Sequence, residues 1–383
     1  MSFKKLFTPI KIGKVELRNR CAMAPMGMGP PLYAPDETWP KKVIRYYEER
    51  ARGGLGLIIT GFIRVHEKLA SYPIVGLYDD RFIPTHREFA ETMHRHGAKT
   101  FHQIALMGGR FGGDAPSSIY SVNYPERPRE LSEKEIDGLI GSFIDAAERG
   151  QRAGYDGAEI HGGHTYFLGQ LMSPATNKRT DKYGGTFEKR MLFMKEIIKG
   201  IRDRCPDYAI GVKFSMYEEL EGGIDTELGL EIAQYLAEQG VDYLHVSVTS
   251  SANATASKYP SVPPMYLKRN TLIGLAEMVK KACPDTVVMA TGSITIPEEA
   301  DKFIEEGKCD MVVMGRTVLA DPHWANKARE GKNIIPCIRC NVCYHQLFTY
   351  RPLACSLNPY LLHESEQEFS VPARKKKVMV VGA

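Results

Sequence analysis

The sequence predicts an α/β fold, a (β/α)8 barrel carrying a C-terminal cysteine-cluster extension, on three observations. Short apolar runs rich in β-branched residues recur eight times, and each is followed by a longer amphipathic segment. Strict alternation of strand and helix requires parallel strands joined by crossover helices. The chain of 383 residues accommodates one barrel of about 250 residues together with a smaller appendage. An open doubly wound sheet is the competing architecture, but its first strand normally runs into a Gly-rich fingerprint, and Pro25-Met26-Gly27 is not one.

The strands are expected over Arg20–Pro25, Leu55–Gly61, Lys99–Ala105, Asp156–His161, Ala209–Ser215, Asp242–Val248, Thr286–Thr291 and Asp310–Gly315. Helical periodicity fills the spaces between them, as in Glu133–Ala153, Phe187–Arg204, Thr226–Gln239 and Pro297–Glu306. Ser250–Pro264, rich in Ser, Ala and Pro, reads as a long loop after the sixth strand. The barrel is expected over residues 1–330 and a cysteine segment over 331–371. Residues 372–383 are a basic linker followed by the apolar run Val378–Val381, which leads into Gly382 and reads as the first strand of a further domain.

A net charge of +4 on a chain this long gives no reason to expect nucleic acid as a partner. No apolar run approaches the roughly 20 residues of a spanning helix, so no membrane partner is expected either. Met1–Arg20 intersperses Lys, Glu and Arg with apolar residues, unlike a signal peptide, and a cytoplasmic location is the default. Of the 8 cysteines, Cys21, Cys205, Cys283 and Cys309 are scattered, whereas Cys337, Cys340, Cys343 and Cys355 are crowded. Crowding of that kind points to metal rather than to a disulfide framework.

Barrel enzymes assemble their sites from the C-terminal ends of the strands. Those ends here carry Pro25-Met26-Gly27, Gly61, Gln103, His161 with His164 and Tyr166, Lys213, Gly292-Ser293 and Gly315-Arg316. The last two pairs follow strands seven and eight, where backbone N–H groups commonly bind phosphate and an arginine adds a charge-assisted partner. A lysine at the end of a buried strand is expensive unless it serves a ligand or an ion pair in the helix layer. Two histidines at i and i+3 in a Gly-rich loop, followed by a tyrosine, bring two N–H donors and an acid together.

Leu6-Phe7-Thr8-Pro9, Leu17-Arg18-Asn19-Arg20 and the run Ser173-Pro174, Asn177, Arg179, Asp181, Tyr183-Gly184-Gly185, Glu188 and Arg190 resemble the old yellow enzyme family of NADH:flavin oxidoreductases. The likeness is to its iron–sulfur branch, which includes 2,4-dienoyl-CoA reductase, 2-enoate reductase and trimethylamine dehydrogenase, and it covers essentially the whole chain. The resemblance implies FMN bordered by Pro25, Met26, Gly27 and Gly61, with Gln103 on its pyrimidine edge and Lys213 beside N1 and O2. It also implies Tyr166 as the proton donor in reduction of an activated C=C bond, with His161 and His164 binding the substrate carbonyl. Thr165 stands where the family has a Gly, and residues 246–267 lack the histidine acid of dienoyl-CoA reductases, which counts against a dienoyl-CoA substrate.

Cys337-x2-Cys340-x2-Cys343-x11-Cys355 has the form of a [4Fe–4S] site, a compact triplet with one distant fourth thiolate. Zinc is the other reading, although its sites more often pair two separate C-x-x-C hairpins. The family's triplet usually reads C-x2-C-x3-C, so this chain is one residue shorter there; Asn358-Pro359 after the last cysteine matches. In the resembling branch an FAD- and NAD(P)H-binding region follows at the position of Val378–Ala383. The expected enzyme is thus an NAD(P)H-dependent flavin oxidoreductase acting on a small unsaturated substrate, possible as a homo-oligomer. Amine oxidation and a non-catalytic electron-transfer subunit are the alternatives.

Overall fold

The computed structural model describes residues 3–68, 74–108, 113–119, 126–250 and 257–367, with positions 374, 376, 377, 379 and 381 beyond them. Eight parallel strands form its centre: β1 (Cys21–Met23), β2 (Leu57–Ile59), β3 (Lys99–Ala105), β4 (Gly157–Gly162), β5 (Ala209–Glu218), β6 (Tyr243–Thr249), β7 (Val287–Ala290) and β8 (Met311–Met314). Each pairs with the next, and Val312 to Met314 of β8 pair with Cys21 to Met23 of β1. The sheet is therefore closed, which settles the architecture as a (β/α)8 barrel rather than an open doubly wound sheet.

All eight expected strands are present, with ends displaced by a few residues. The largest displacement is at β5, which runs past Ser215 to Glu218 through an irregularity in its ladder with β6. The helices α1 (Lys41–Arg52), α2 (Ile83–His94), α3 (Glu133–Ala153), α4 (Phe187–Arg204), α5 (Thr226–Glu238), α6 (Ile273–Ala282) and α7 (Pro297–Glu305) surround the barrel. Local chemistry sets their ends. Ser132 and Glu135 close a reciprocal capping box at the start of α3, and Gly154 ends it in the left-handed region at φ 95°.

The barrel interior is layered. Leu57, Ile59, Phe101, Tyr243, Met289, Met311 and Val313 form an apolar inner cluster. Ile12 and Leu17 join it from a hairpin, Ile10–Ile12 with Val15–Leu17, that plugs the N-terminal end. Gly211 has a steric reason to lack a side chain, since a Cβ there would lie 2.0 Å from the Tyr243 ring. Above this layer the inward positions turn polar.

The long family-like run after β4 is structural. Asn177 Nδ2 donates to the carbonyls of Leu171 at 2.6 Å and Tyr183 at 2.7 Å. Arg179 donates to Pro116 and Leu131 carbonyls and pairs with Asp181. The cysteine segment also packs on the barrel. Leu353, Leu361 and Leu362 are buried in the outer core, and Asn358 Nδ2 donates to the Leu319 carbonyl at 2.8 Å. The strand expected over Val378–Ala383 falls, apart from Met379 and Val381, outside the described residues, as do positions 251–256 of the loop after β6 and Gly109-Arg110 after β3.

Candidate active site at the strand ends

His161, the penultimate residue of β4, is almost fully buried, and its Nδ1 accepts from the Gly163 N–H at 3.3 Å. The ring proton therefore sits on Nε2, making that atom a donor. Burial first, then the neighbouring Lys213 charge, pushes its pKa down to about 3, so the imidazole is neutral at ordinary pH. The following loop turns sharply, with His164 and Thr165 both in the left-handed region, at φ 58° and 53°. That turn is steadied by Gln170, which donates to the Thr165 carbonyl at 2.8 Å, and by the His164 N–H, which donates to Ser215 Oγ at 3.1 Å. It swings His164 and Tyr166 back over His161: the ring centroids stand 5.1 Å and 4.9 Å from that of His161. His164 Nε2 lies 2.7 Å from Ser247 Oγ on β6. The three residues singled out for catalysis thus form one cluster at the barrel mouth.

Below them lies a buried polar layer. Gln103 on β3 donates through Nε2 to Glu159 Oε1 at 2.7 Å, and Glu159 Oε2 lies 2.8 Å from His245 Nδ1 and accepts from Tyr243 OH at 3.1 Å. Lys213 is held in register with His161 and His245 on its two neighbouring strands, and burial lowers its pKa while the Glu159 charge raises it. Lys213 thus faces Glu159 inside the barrel, not a partner in the helix layer. Glu159, His245, Ser215 and Ser247 were not singled out from the sequence. Their signal was there: alternate positions carry Glu159/His161, Lys213/Ser215 and His245/Ser247, an inward polar face on three adjacent strands.

The remaining candidates occupy the ends of β1, β2, β7 and β8. A Cβ on Gly61 would lie 2.4 Å from the Met26 carbonyl oxygen, and one on Gly315 would lie 3.2 Å from Met26 Sδ, so both glycines let neighbouring strand ends close on Met26. Gly292 and Ser293 have φ of 117° and 64°. Arg316 reaches across to donate to Ser293 Oγ and to Asn341 Oδ1, and it donates to the Pro263 carbonyl at 2.9 Å. Ser293, in the positive-φ turn after β7, is therefore tied through one guanidinium to Asn341 within the cysteine loop.

Cys337, Cys340, Cys343 and Cys355 line one small cleft together with Arg316. The fourth thiol is thus brought to the triplet, as the spacing requires of a cluster site. Among the described residues, however, no three His, Cys, Asp or Glu side chains stand grouped as metal ligands. The segment lies against the strand ends: a Cβ on Gly27 would lie 3.6 Å from Leu347, and the Leu353 N–H points to the Met28 carbonyl at 3.4 Å. Among the described residues no helix is long and apolar enough to cross a membrane.

Fold and site together define a closed α/β barrel with a polar cluster gathered at its strand ends. Residues 5–334 match the family model described as the NADH:flavin oxidoreductase / NADH oxidase family, and the chain belongs to that family. It is 40% identical to an NADH oxidase of Thermoanaerobacter brockii, over 99% of this chain and 60% of that protein. It is 35% identical to a cinnamate reductase of Clostridium sporogenes, over 99% of this chain and 61% of that protein. A solved complex of 2-naphthoyl-CoA reductase superposes with a TM-score of 0.91 at 27% identity, covering 100% of this chain and 61% of that one. The chain spans about 60% of the length of these relatives.

Proposed function

We propose that this chain is the substrate-reducing half of an FMN- and iron–sulfur-dependent enoate or enone reductase driven by NAD(P)H. The observation that carries the reading is the cluster of His161, His164 and Tyr166 rings, with buried Lys213 in register beside His161. In support, a relative that matches over nearly the whole chain is named for reduction of cinnamate, an α,β-unsaturated carboxylate.

FMN would lie against Pro25, Met26, Gly27 and Gly61, with Gln103 and Lys213 on its pyrimidine side and its phosphate at Gly292, Ser293, Gly315 and Arg316. The donors fit the group, since a buried lysine and a positive-φ turn beside an arginine suit an electron-rich ring and a phosphate. Cys337, Cys340, Cys343 and Cys355 would hold a [4Fe–4S] cluster. When bound and reduced, FMN supplies a hydride at N5 for the substrate β-carbon, and the cluster supplies single-electron transfer. The chain's own residues do the rest. Neutral His161, with His164, donates hydrogen bonds to the substrate carbonyl and stabilises the charge that develops on it. Tyr166 delivers the proton that completes the α-carbon. Residues 1–330 form the barrel, 331–371 the cluster segment, and an FAD- and NAD(P)H-binding domain would continue from 372–383 in a longer protein.

The test is anaerobic. The protein is purified, its bound flavin and iron are measured, and the dithionite-reduced form is mixed with enoates, cyclic enones, enoyl-CoAs and amines in a stopped-flow instrument. Rapid reoxidation by an enoate or enone is the expected result. Absence of flavin, or reaction of the oxidised form with amines alone, would overturn the reading.

A further inference from the structure

Glu159 is fully buried in the barrel interior, where a carboxylate is costly unless its partners compensate. Its two oxygens meet three donor groups: the Gln103 amide, the Tyr243 hydroxyl and the His245 ring. Burial pushes its pKa up, but the adjoining His245, and after it Lys213, outweigh burial and hold the carboxyl below its usual range. An ionised carboxylate only accepts hydrogen bonds, so whatever faces it must present a donor. That requirement orients Gln103: the NH2 end turns to Glu159, and the carbonyl Oε1 is the end left for a ligand. The Gln103 N–H is itself pinned to Thr60 Oγ1 at 3.1 Å, so the backbone cannot swing to relieve the choice. Among the described residues no donor reaches Oε1.

We infer that Glu159 is a positioning residue that fixes the polarity of the Gln103 amide, so that the site selects a planar ring presenting an imide N–H. The inference rests on the flavin reading above, because the N3–H of an isoalloxazine is such a donor, flanked by two carbonyl oxygens. It adds to that reading the group that sets the hydrogen-bond code of the site. With a neutral amide in place of Glu159, either end of Gln103 is satisfied, and the code is lost.

The experiment compares binding of FMN and of 3-methyl-FMN, which lacks the N3–H, to the flavin-free full chain by fluorescence titration. The added methyl is the same obstacle in every variant, so the change in the ratio of dissociation constants isolates the hydrogen bond. Wild-type protein prefers FMN, and Glu159→Gln reduces that preference about tenfold, the size of one hydrogen bond to a charged-network partner. A loss of packing alone would weaken both flavins equally and leave the ratio intact. Tyr243→Phe, which keeps the Gln103–Glu159 bond, retains the wild-type ratio. If Glu159→Gln does not fold, Glu159→Asp is used: one methylene shorter, it withdraws the carboxylate from Gln103 while keeping its charge, and the ratio falls likewise. An unchanged ratio in a folded Glu159 variant overturns the inference. Failure of the wild-type protein to bind either flavin overturns instead the flavin assignment on which it stands.

Discussion

Arg50 on α1 and Glu364 in the cysteine extension form an ion pair, Nη1 to Oε1 at 2.6 Å, with neither side chain exposed and the two residues 314 positions apart in sequence. Arg50 also donates to the Val318 and Tyr46 carbonyls and lies 3.9 Å over the Tyr46 ring. The extension is thereby latched to the barrel wall at its far end. Glu364→Ala leaves a buried guanidinium without its counter-charge and is expected to cost about 3 kcal/mol. Glu366→Ala, on a surface pair with His363, is expected to stay within about 0.5 kcal/mol. Urea unfolding of both variants checks this; equal midpoints would show that the buried pair does not anchor the segment.

Tyr166→Phe keeps the ring that packs 4.9 Å from His161 and 5.8 Å from Phe62 but removes the hydroxyl proton. Reduction of the bound flavin by dithionite is expected to be unaffected. Reoxidation by the unsaturated substrate is expected to slow at least ~100-fold, the scale of a general acid. A wild-type rate for the substrate half-reaction would remove Tyr166 from the role of proton donor.

His86, His102 and His161 are each buried, and burial lowers their pKa values to about 3, 4 and 3. His86 illustrates the lock: Trp39 Nε1–H donates to Nδ1 at 3.1 Å, so Nε2 carries the proton to the Gly76 carbonyl at 2.9 Å. In the unfolded chain these groups titrate near pH ~6.5, so on acidification the unfolded state takes up protons first. Their contribution is fully present above that pH and is lost as the pH falls toward the folded values, by about 1.4 kcal/mol per pH unit for each group. The thermal midpoint should therefore drop steadily from pH 7 to pH 5, and His86→Gln should flatten that slope. A midpoint independent of pH across this range would contradict the buried neutral assignment.

Cys340→Ser removes one of the four thiols that line the cleft beside Arg316. Iron content and the broad absorbance above the flavin bands are expected to fall, while dithionite-driven reduction of substrate persists. In a protein that continues into a nicotinamide-binding domain, NADH-driven turnover should be lost in the same variant. Fast reduction of the flavin by NADH in the 383-residue chain, unaffected by Cys340→Ser, would assign the cysteines a structural role instead.

Periodicity and composition alone determined the eight strands, the helices between them and the crowding of Cys337, Cys340, Cys343 and Cys355, because these are properties of neighbours along the chain. The strand-end residues His161, His164 and Tyr166 were legible for the same reason, lying within six positions of one another. Glu159 was not, although it lies beside them. Inward alternation marks it as facing the barrel axis, but nothing local says that Gln103, Tyr243 and His245, from two other strands, converge on it. Closure of the sheet decides that, since only the register from β3 through β4 and β5 to β6 brings their polar positions into one layer. The same holds for Arg50 with Glu364 and for Arg316 with Asn341. Such pairs are made by chain segments that meet only when the core has packed, and a buried charge declares its partner in three dimensions, not in sequence.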